Sequence, residues 1–379
     1  MKNLLLVLTL VLAVSAAADK KLPLTLPPIL YAVPGVECNV YFADLALTTN
    51  PANYAFDVEC PVGRNDATRW RFTPTEKDLG SHPWTLKVYD ESNQLVASGS
   101  TTVQVSPADA GTGRKIGLMV VGDSLTDFGY PASLRELLDL PGNPDTTFLG
   151  TNGGLGKPPG RHAHEGYAGW TWNTFLTLWT DNPAAKYPKS KFLTLKDGKV
   201  VLDFQAYCDK NHQGRTPDFI TVMLGTNEMI CTREDRLERD IDGLLAAADK
   251  LIAEFKRVAP QARIGVVLTP PPAASQDAFG ANYNCGLSRW QYRCHQFRLV
   301  ERLLEHFAKN KDDISVIPVY CGLDTEENFP KTKVPLSARN PTLCERLNNG
   351  VHPATPGYRQ ISDCIYAWLK YQLSQKPGN

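Results

Sequence analysis

The chain has 379 residues, with 40 Lys plus Arg against 40 Asp plus Glu, and therefore no formal net charge. A general nucleic-acid binder needs a basic excess to displace counterions from phosphates, so the balance argues against nucleic acid as a partner. Charged residues at 21% and hydrophobic residues at 42% describe a folded chain, and at roughly 150 residues per domain the length suggests two or three domains.

The N-terminus reads as a leader. Lys2 is followed by an almost wholly apolar run from Leu4 to Val14, closing in Ser15-Ala16-Ala17-Ala18. Ala16 and Ala18 give the small-x-small pattern that signal peptidase accepts, so residues 1–18 are predicted to be a signal peptide cleaved after Ala18. A membrane span takes about 20 apolar residues, more than this run offers, so no membrane insertion is expected. The protein is accordingly expected to be secreted or periplasmic. Export makes cysteines candidates for disulfides. There are nine, an odd number that leaves at least one thiol over or paired to another molecule. Cys38 and Cys60 could bridge two strands, Cys285 with Cys294 and Cys321 with Cys344 are the pairs to test first, and the sequence does not fix the connectivity.

Residues 19–106 have the texture of a small Ig-like β-sandwich. Short apolar runs such as Ile29 to Val33, Trp84 to Tyr89 and Thr101 to Val105 are separated by turn formers, among them Ser92-Asn93. Trp84 to Tyr89 alternates large apolar and polar side chains, the period of a half-buried strand. No cluster of exposed aromatics is evident there, which favours a bracing role over glycan binding. Residues 107–114, opening Pro107-Ala108-Asp109-Ala110-Gly111, read as a linker.

Residues 115–379 change character. Ile116–Val121, Phe219–Leu224, Ile264–Leu268 and Ile314–Val319 are continuous apolar runs, as expected of strands buried on both faces. Helical patterns lie between and after them at Ser133–Leu140, Arg236–Val258, Trp290–Ala308 and Pro356–Leu373. Strands alternating with helices imply an α/β domain, a parallel sheet covered on both sides.

The residues with chemistry collect at strand ends, where open parallel sheets gather reactive groups. Gly122-Asp123-Ser124-Leu125 follows the first buried run, and Leu224-Gly225-Thr226-Asn227-Glu228 closes the second. His164-Glu165-Gly166-Tyr167-Ala168-Gly169-Trp170-Thr171 lies between them, and Gly350-Val351-His352-Pro353 precedes the last helix. These four blocks, in this order, resemble the GDSL or SGNH hydrolase family over roughly residues 115 to 375. The resemblance implies a three-layer α/β/α, flavodoxin-like sheet. It implies Ser124 as nucleophile and His352 as the base that takes its proton. It also implies an oxyanion hole made of the Ser124 and Gly169 backbone N–H groups and the Asn227 side-chain amide. The set is chemically coherent, because a serine hydroxyl needs a neighbouring base and the developing oxyanion needs fixed donors.

Two positions depart from the family pattern. Asn349 stands where many members carry the aspartate that orients the catalytic histidine. Its oxygen, a backbone carbonyl, Asp324 or Glu345 would have to serve instead. Glu228 replaces an aspartate often found after the asparagine. Among other candidates, His162 and His164 read as loop histidines, and no metal or organic cofactor is implied. Trp172 and Trp179 read as core at helical spacing, and Asp127 as a helix cap. Trp170, together with Trp290 and Tyr292 beside the Pro270-Pro271-Pro272 turn, are candidates to line the substrate cleft. The H-E-G-x-x-G-W-T segment is similar to that of secreted, acetylxylan-type carbohydrate acetyl esterases. The expectation is a secreted serine esterase that removes O-acetyl groups from an acetylated polysaccharide or oligosaccharide. A lipid esterase or lysophospholipase on the same scaffold, and an inactive carbohydrate-binding protein, are the alternatives.

Overall fold

The computed structural model describes residues 21–375 apart from 183, 188, 284–285 and 310–312. The expected signal peptide, and Cys285 of the expected Cys285–Cys294 pair, lie outside the described residues.

The N-terminal part is two facing sheets. Their strands are β1 (Ile29–Ala32), β2 (Cys38–Tyr41), β3 (Ala55–Glu59), β4 (Arg64–Asn65), β5 (Arg69–Phe72), β6 (Gly80–Tyr89) and β7 (Leu95–Val105). One sheet runs β1-β7-β6-β3 and the other β2-β5-β4, with a short helix, α1 (Phe42–Leu45), after β2. The period-two pattern of β6 buries Trp84, Leu86 and Val88. Trp70 of β5 meets Trp84 edge-on across the gap, with ring centroids 6.3 Å apart.

The second part is a parallel sheet. Its leading elements are β8 (Lys115–Gly122), α2 (Ser124–Phe128), α3 (Tyr130–Leu138), β9 (Asp145–Phe148), β10 (Glu165–Gly166) and α4 (Trp172–Thr177). A hairpin of β11 (Leu193–Lys196) and β12 (Lys199–Leu202), then α5 (Phe204–His212), lead into β13 (Phe219–Met223). After it come α6 (Thr226–Cys231), α7 (Leu237–Val258), β14 (Arg263–Val267), α8 (Gln276–Asn282), α9 (Arg289–Phe307) and β15 (Ile314–Ile317). A second hairpin, β16 (Lys331–Ser337) and β17 (Asn340–Leu347), precedes α10 (Thr355–Ser374). The sheet runs β10-β8-β13-β14-β15, and β9 pairs β8 as well, all in parallel. Ile116, Leu118 and Val120 of β8 pack with α3 and α10, whereas Met119 and Val121 join the core that contains α7 and α9. Apolar residues on both faces are the reason β8 reads as an unbroken hydrophobic run.

Register sets up the site. Gly122 of β8 pairs with Gly166 of β10 on one side and with Met223 of β13 on the other, so three strands end level. The chain leaves β8 toward β9 and β10 on one side and returns as β13 on the other. That reversal is the switch point where open α/β sheets form a crevice.

The two parts are packed against each other. Arg293 of α9 is buried and donates to the carbonyls of Ala43, Asp44 and Ala46 at 3.1, 3.0 and 3.1 Å. Tyr320 donates to Thr25 O at 3.0 Å, and Gln360 Nε2 to the Tyr41 hydroxyl at 3.0 Å. The stretch expected to be a linker is tied down rather than loose: it forms successive turns, and the buried Lys370 donates to Ala110 O at 2.8 Å. The eight described cysteines are free thiols. Cys321 sits near Cys38 and Cys364 instead of Cys344, which lies on β17 against Val334 O.

Candidate active site

Ser124 is the first residue of α2. Asp123 caps that helix, accepting from Leu125 N at 2.9 Å, and thereby fixes the turn that presents Ser124 directly beyond β8. His352 lies in the loop between β17 and α10, and its Nε2 stands 2.8 Å from Ser124 Oγ. Residues 228 positions apart in sequence are thus in direct hydrogen-bond contact. Burial alone lowers the His352 pKa from the ordinary 6.5, so the imidazole is neutral and able to accept a proton near neutral pH.

Asn349 does not orient the imidazole. Its Oδ1 accepts from His352 N at 2.8 Å and Val351 N at 3.0 Å, so the side chain folds the loop rather than meeting Nδ1. Asp324 is committed to the backbone N–H groups of Glu326 and Glu327, and Glu345 is exposed on β17 opposite Lys333. Among the described residues no carboxylate meets His352. What does meet it is Phe128, whose ring lies 5.0 Å from the imidazole centroid and tilted by 43°. Phe128 follows Ser124 by one helical turn, so α2 carries both the hydroxyl and an aromatic brace for its partner on one face.

The donors expected for an oxyanion come from two further elements. Gly169 occupies the third position of a turn closed by Trp170 N donating to Tyr167 O at 3.1 Å, with φ +82°. A turn of that shape demands a residue that adopts positive φ, which explains the glycine; a Cβ there would meet no neighbour. No described acceptor takes the Gly169 N–H. Asn227 lies in the first turn of α6, where Gly225 (φ +125°) makes the bend and passes so close to Leu299 that a Cβ would stand 2.6 Å from it. Asn227 Nδ2 donates to Trp170 O at 2.9 Å, which fixes the amide. Its second N–H faces Asp123 Oδ2 at 3.5 Å, too long for a good bond and open to a better acceptor.

Behind these groups are two enclosed acids. Burial, and then the charge of Glu228, pushes Asp123 up to about 7. Burial likewise pushes Glu228 to about 7, and its Oε1 accepts from Trp172 N at 2.8 Å. The glutamate in place of aspartate therefore anchors the start of α4 behind the Gly169 turn.

Several sequence candidates fall elsewhere. Trp170 is only 4% exposed and packs edge-on to Phe175 at 4.7 Å, so its ring is core while its carbonyl serves Asn227. Tyr292 is 1% exposed, against Phe279 at 5.6 Å, and lines no cleft. Trp290 is 36% exposed in the first turn of α9 and takes no part in the contacts of the Ser124–His352 pair. Trp172 is buried, and Trp179 is half-buried under Lys189. Asp127 is not a cap: inside α2, its Oδ1 receives Asn152 Nδ2 at 3.0 Å and Leu155 N at 2.9 Å. His164 is buried, and its Nδ1 accepts from Gly166 N at 3.0 Å. Phe128 escaped the sequence reading; its position four residues after Ser124 was the available signal.

The family model of the GDSL-like lipase/acylhydrolases matches residues 118–365. Among solved structures, a family 3 carbohydrate esterase of Clostridium thermocellum is 16% identical, with a TM-score of 0.40, over 69% of this chain and 100% of that one. A carbohydrate esterase family 3 structure from Talaromyces cellulolyticus is 13% identical, with a TM-score of 0.41, over 68% and 98%. A lipase/acylhydrolase from Enterococcus faecalis is 12% identical, with a TM-score of 0.36, over 70% and 99%. A comparison with curated proteins finds no match.

Proposed function

The chain belongs to the GDSL-like lipase/acylhydrolase family and is an ester hydrolase, and from that premise we propose that it is a secreted serine esterase that removes O-acetyl groups from carbohydrate. The observation that carries the reading is the 2.8 Å contact between Ser124 Oγ and His352 Nε2, beside the free N–H of Gly169 and the anchored amide of Asn227. Ser124 Oγ attacks the acetyl carbonyl carbon while His352 Nε2 takes its proton. The carbonyl oxygen, now negative, is received by the N–H groups of Ser124, Gly169 and Asn227. The bond to the sugar oxygen then breaks, and His352 returns the proton to that oxygen. Water attacks the acetyl-serine, giving up a proton through His352, and acetate leaves with Ser124 restored. The balance is ester plus water to alcohol plus acetic acid.

A small acyl group fits the surroundings. Trp170 and Trp172 directly follow the Gly169 turn and are buried in a cluster with Tyr167 and Phe175, so packed aromatics back the oxyanion donors. The apolar leader and its Ala16-x-Ala18 ending support export. Initial rates on 4-nitrophenyl esters of rising chain length, with acetate release from acetylated sugars, test the reading. The acetyl ester should be the best of the series, and Ser124→Ala should lower kcat by at least about 10³. Rates that climb with chain length would favour a lipid esterase, and turnover surviving Ser124→Ala would remove the nucleophile.

A further inference from the structure

A concavity opens beside α2, between α2–α3 and the segment that precedes β10. Phe128, Pro131 and Ala132 form one wall, and Leu155, Lys157 and His162 the other. Phe128 is 37% exposed although its ring touches His352, and Leu155 is 61% exposed. Leu155 also has φ +52°, a left-handed conformation that a leucine rarely adopts. It is held there by Asp127 Oδ1, which accepts from Leu155 N at 2.9 Å and from Asn152 Nδ2 at 3.0 Å. An apolar side chain kept exposed on a strained backbone, by a buried carboxylate from the helix that carries Ser124, is a built feature rather than a loose loop.

The direction of the chemistry says what should fill it. The carbonyl oxygen must face Gly169 N and Asn227 Nδ2, while the departing alcohol must sit where His352 Nε2 can return a proton to it. Phe128 both touches His352 and lines the concavity, so the concavity adjoins the residue that returns the proton to the departing alcohol. Its walls match a sugar ring: an aromatic face and a leucine for the C–H faces, with Lys157 and the half-buried His162 at the rim as donors to hydroxyl oxygens.

We infer that this concavity is the subsite for the pyranose ring of the leaving alcohol, and that Phe128 and Leu155 determine the preference for sugar esters. The inference rests on the esterase reading above. It is tested with two probes, 6-O-acetylglucose and 4-nitrophenyl acetate, the latter bringing a flat aryl leaving group without ring hydroxyls. Leu155→Asn removes the apolar wall and keeps a residue that tolerates positive φ. Ala132→Leu fills the opposite wall and needs no change at Leu155. Each variant should lower the ratio of kcat/KM on the sugar ester to kcat/KM on the aryl ester by about tenfold, mainly through KM. Thermal unfolding midpoints within a few degrees of wild type would show that folding is not the cause. Wild-type turnover of both esters with the ratio unmoved in both folded variants overturns the subsite and leaves the esterase reading intact. A wild type active on the aryl ester but inactive on the sugar ester overturns the carbohydrate reading, and the sugar occupant with it.

Discussion

Nε2 of His352 reaches Ser124, and the side chain three residues before it spends its oxygen on the backbone N–H groups of Val351 and His352. The imidazole is therefore positioned by its loop and by the Phe128 ring, with no neighbouring charge among the described residues to stabilise its protonated form. Two consequences follow at this scale. The acid limb of kcat/KM should have an apparent pKa below 6.5, because burial depresses His352 and the neutral form is the active one. Asn349→Asp should keep both backbone contacts, since a carboxylate also accepts, and its charge should draw the acid limb upward by up to about one unit. The gain in kcat should stay within about threefold, as the oxygen remains on the backbone. A pH-rate profile of both proteins checks this, and a gain near 10²-fold would mean that residue 349 turns to Nδ1 after all.

At the scale of elements, the site is the meeting of three strand ends: β8 delivers Ser124, β10 leads into the Gly169 turn and β13 delivers Asn227. Because the turn depends on φ and not on space, Gly169→Ala should tilt its N–H without a steric clash. The substitution should lower kcat by about 10- to 100-fold, with the unfolding midpoint little changed. Gly169→Asn should lose less, since asparagine tolerates that conformation; equal losses would point to side-chain bulk. β8, β13, β14 and β15, and the long helices α7, α9 and α10, were legible because burial on both faces or along one helical stripe leaves a periodic record. β10 was not, since two residues carry no period, and its place is fixed by pairing with β8. The four motif blocks marked Ser124, Gly169, Asn227 and His352, but which aromatic faces the cleft depends on layers far apart in sequence. Trp170 and Tyr292 therefore looked like cleft residues and are core, whereas Phe128, unremarked beside the motif, touches His352.

For the molecule as a whole, the sandwich and the parallel sheet share an interface whose polar contacts are buried or part-buried. Arg293 crosses it, yet it binds the carbonyl oxygens of α1 and its flank, and Gln296 Oε1 at 2.7 Å, while the Asp44 carboxylate beside it keeps Oδ2 without a partner. Burial accordingly pushes Asp44 up to about 8, although Arg293 and Arg289 pull the other way. Asp123, Glu228 and Asp363 are pushed to about 7, also by burial. A carboxyl raised in the folded state holds its proton there after the unfolded chain has released it. Its contribution is thus complete below an unfolded value of about 4 and lost as pH rises through 7 to 8. His164, held near 4, and His212 and His352, held below 6.5, act oppositely and lose their contribution as pH falls through 6.5. Above about pH 6.5 the histidines no longer oppose the carboxyls, so the unfolding midpoint should decline by several degrees between about pH 6.5 and about pH 8.5. Asp44→Asn keeps the size of the side chain and cannot ionise. Its midpoint should match or exceed wild type at about pH 8.5 and fall less steeply from about pH 6, read by scanning fluorimetry across that range. A loss of several degrees already at about pH 6, with an unchanged slope, would instead mean that Asp44 is ionised and holds Arg293 across the junction.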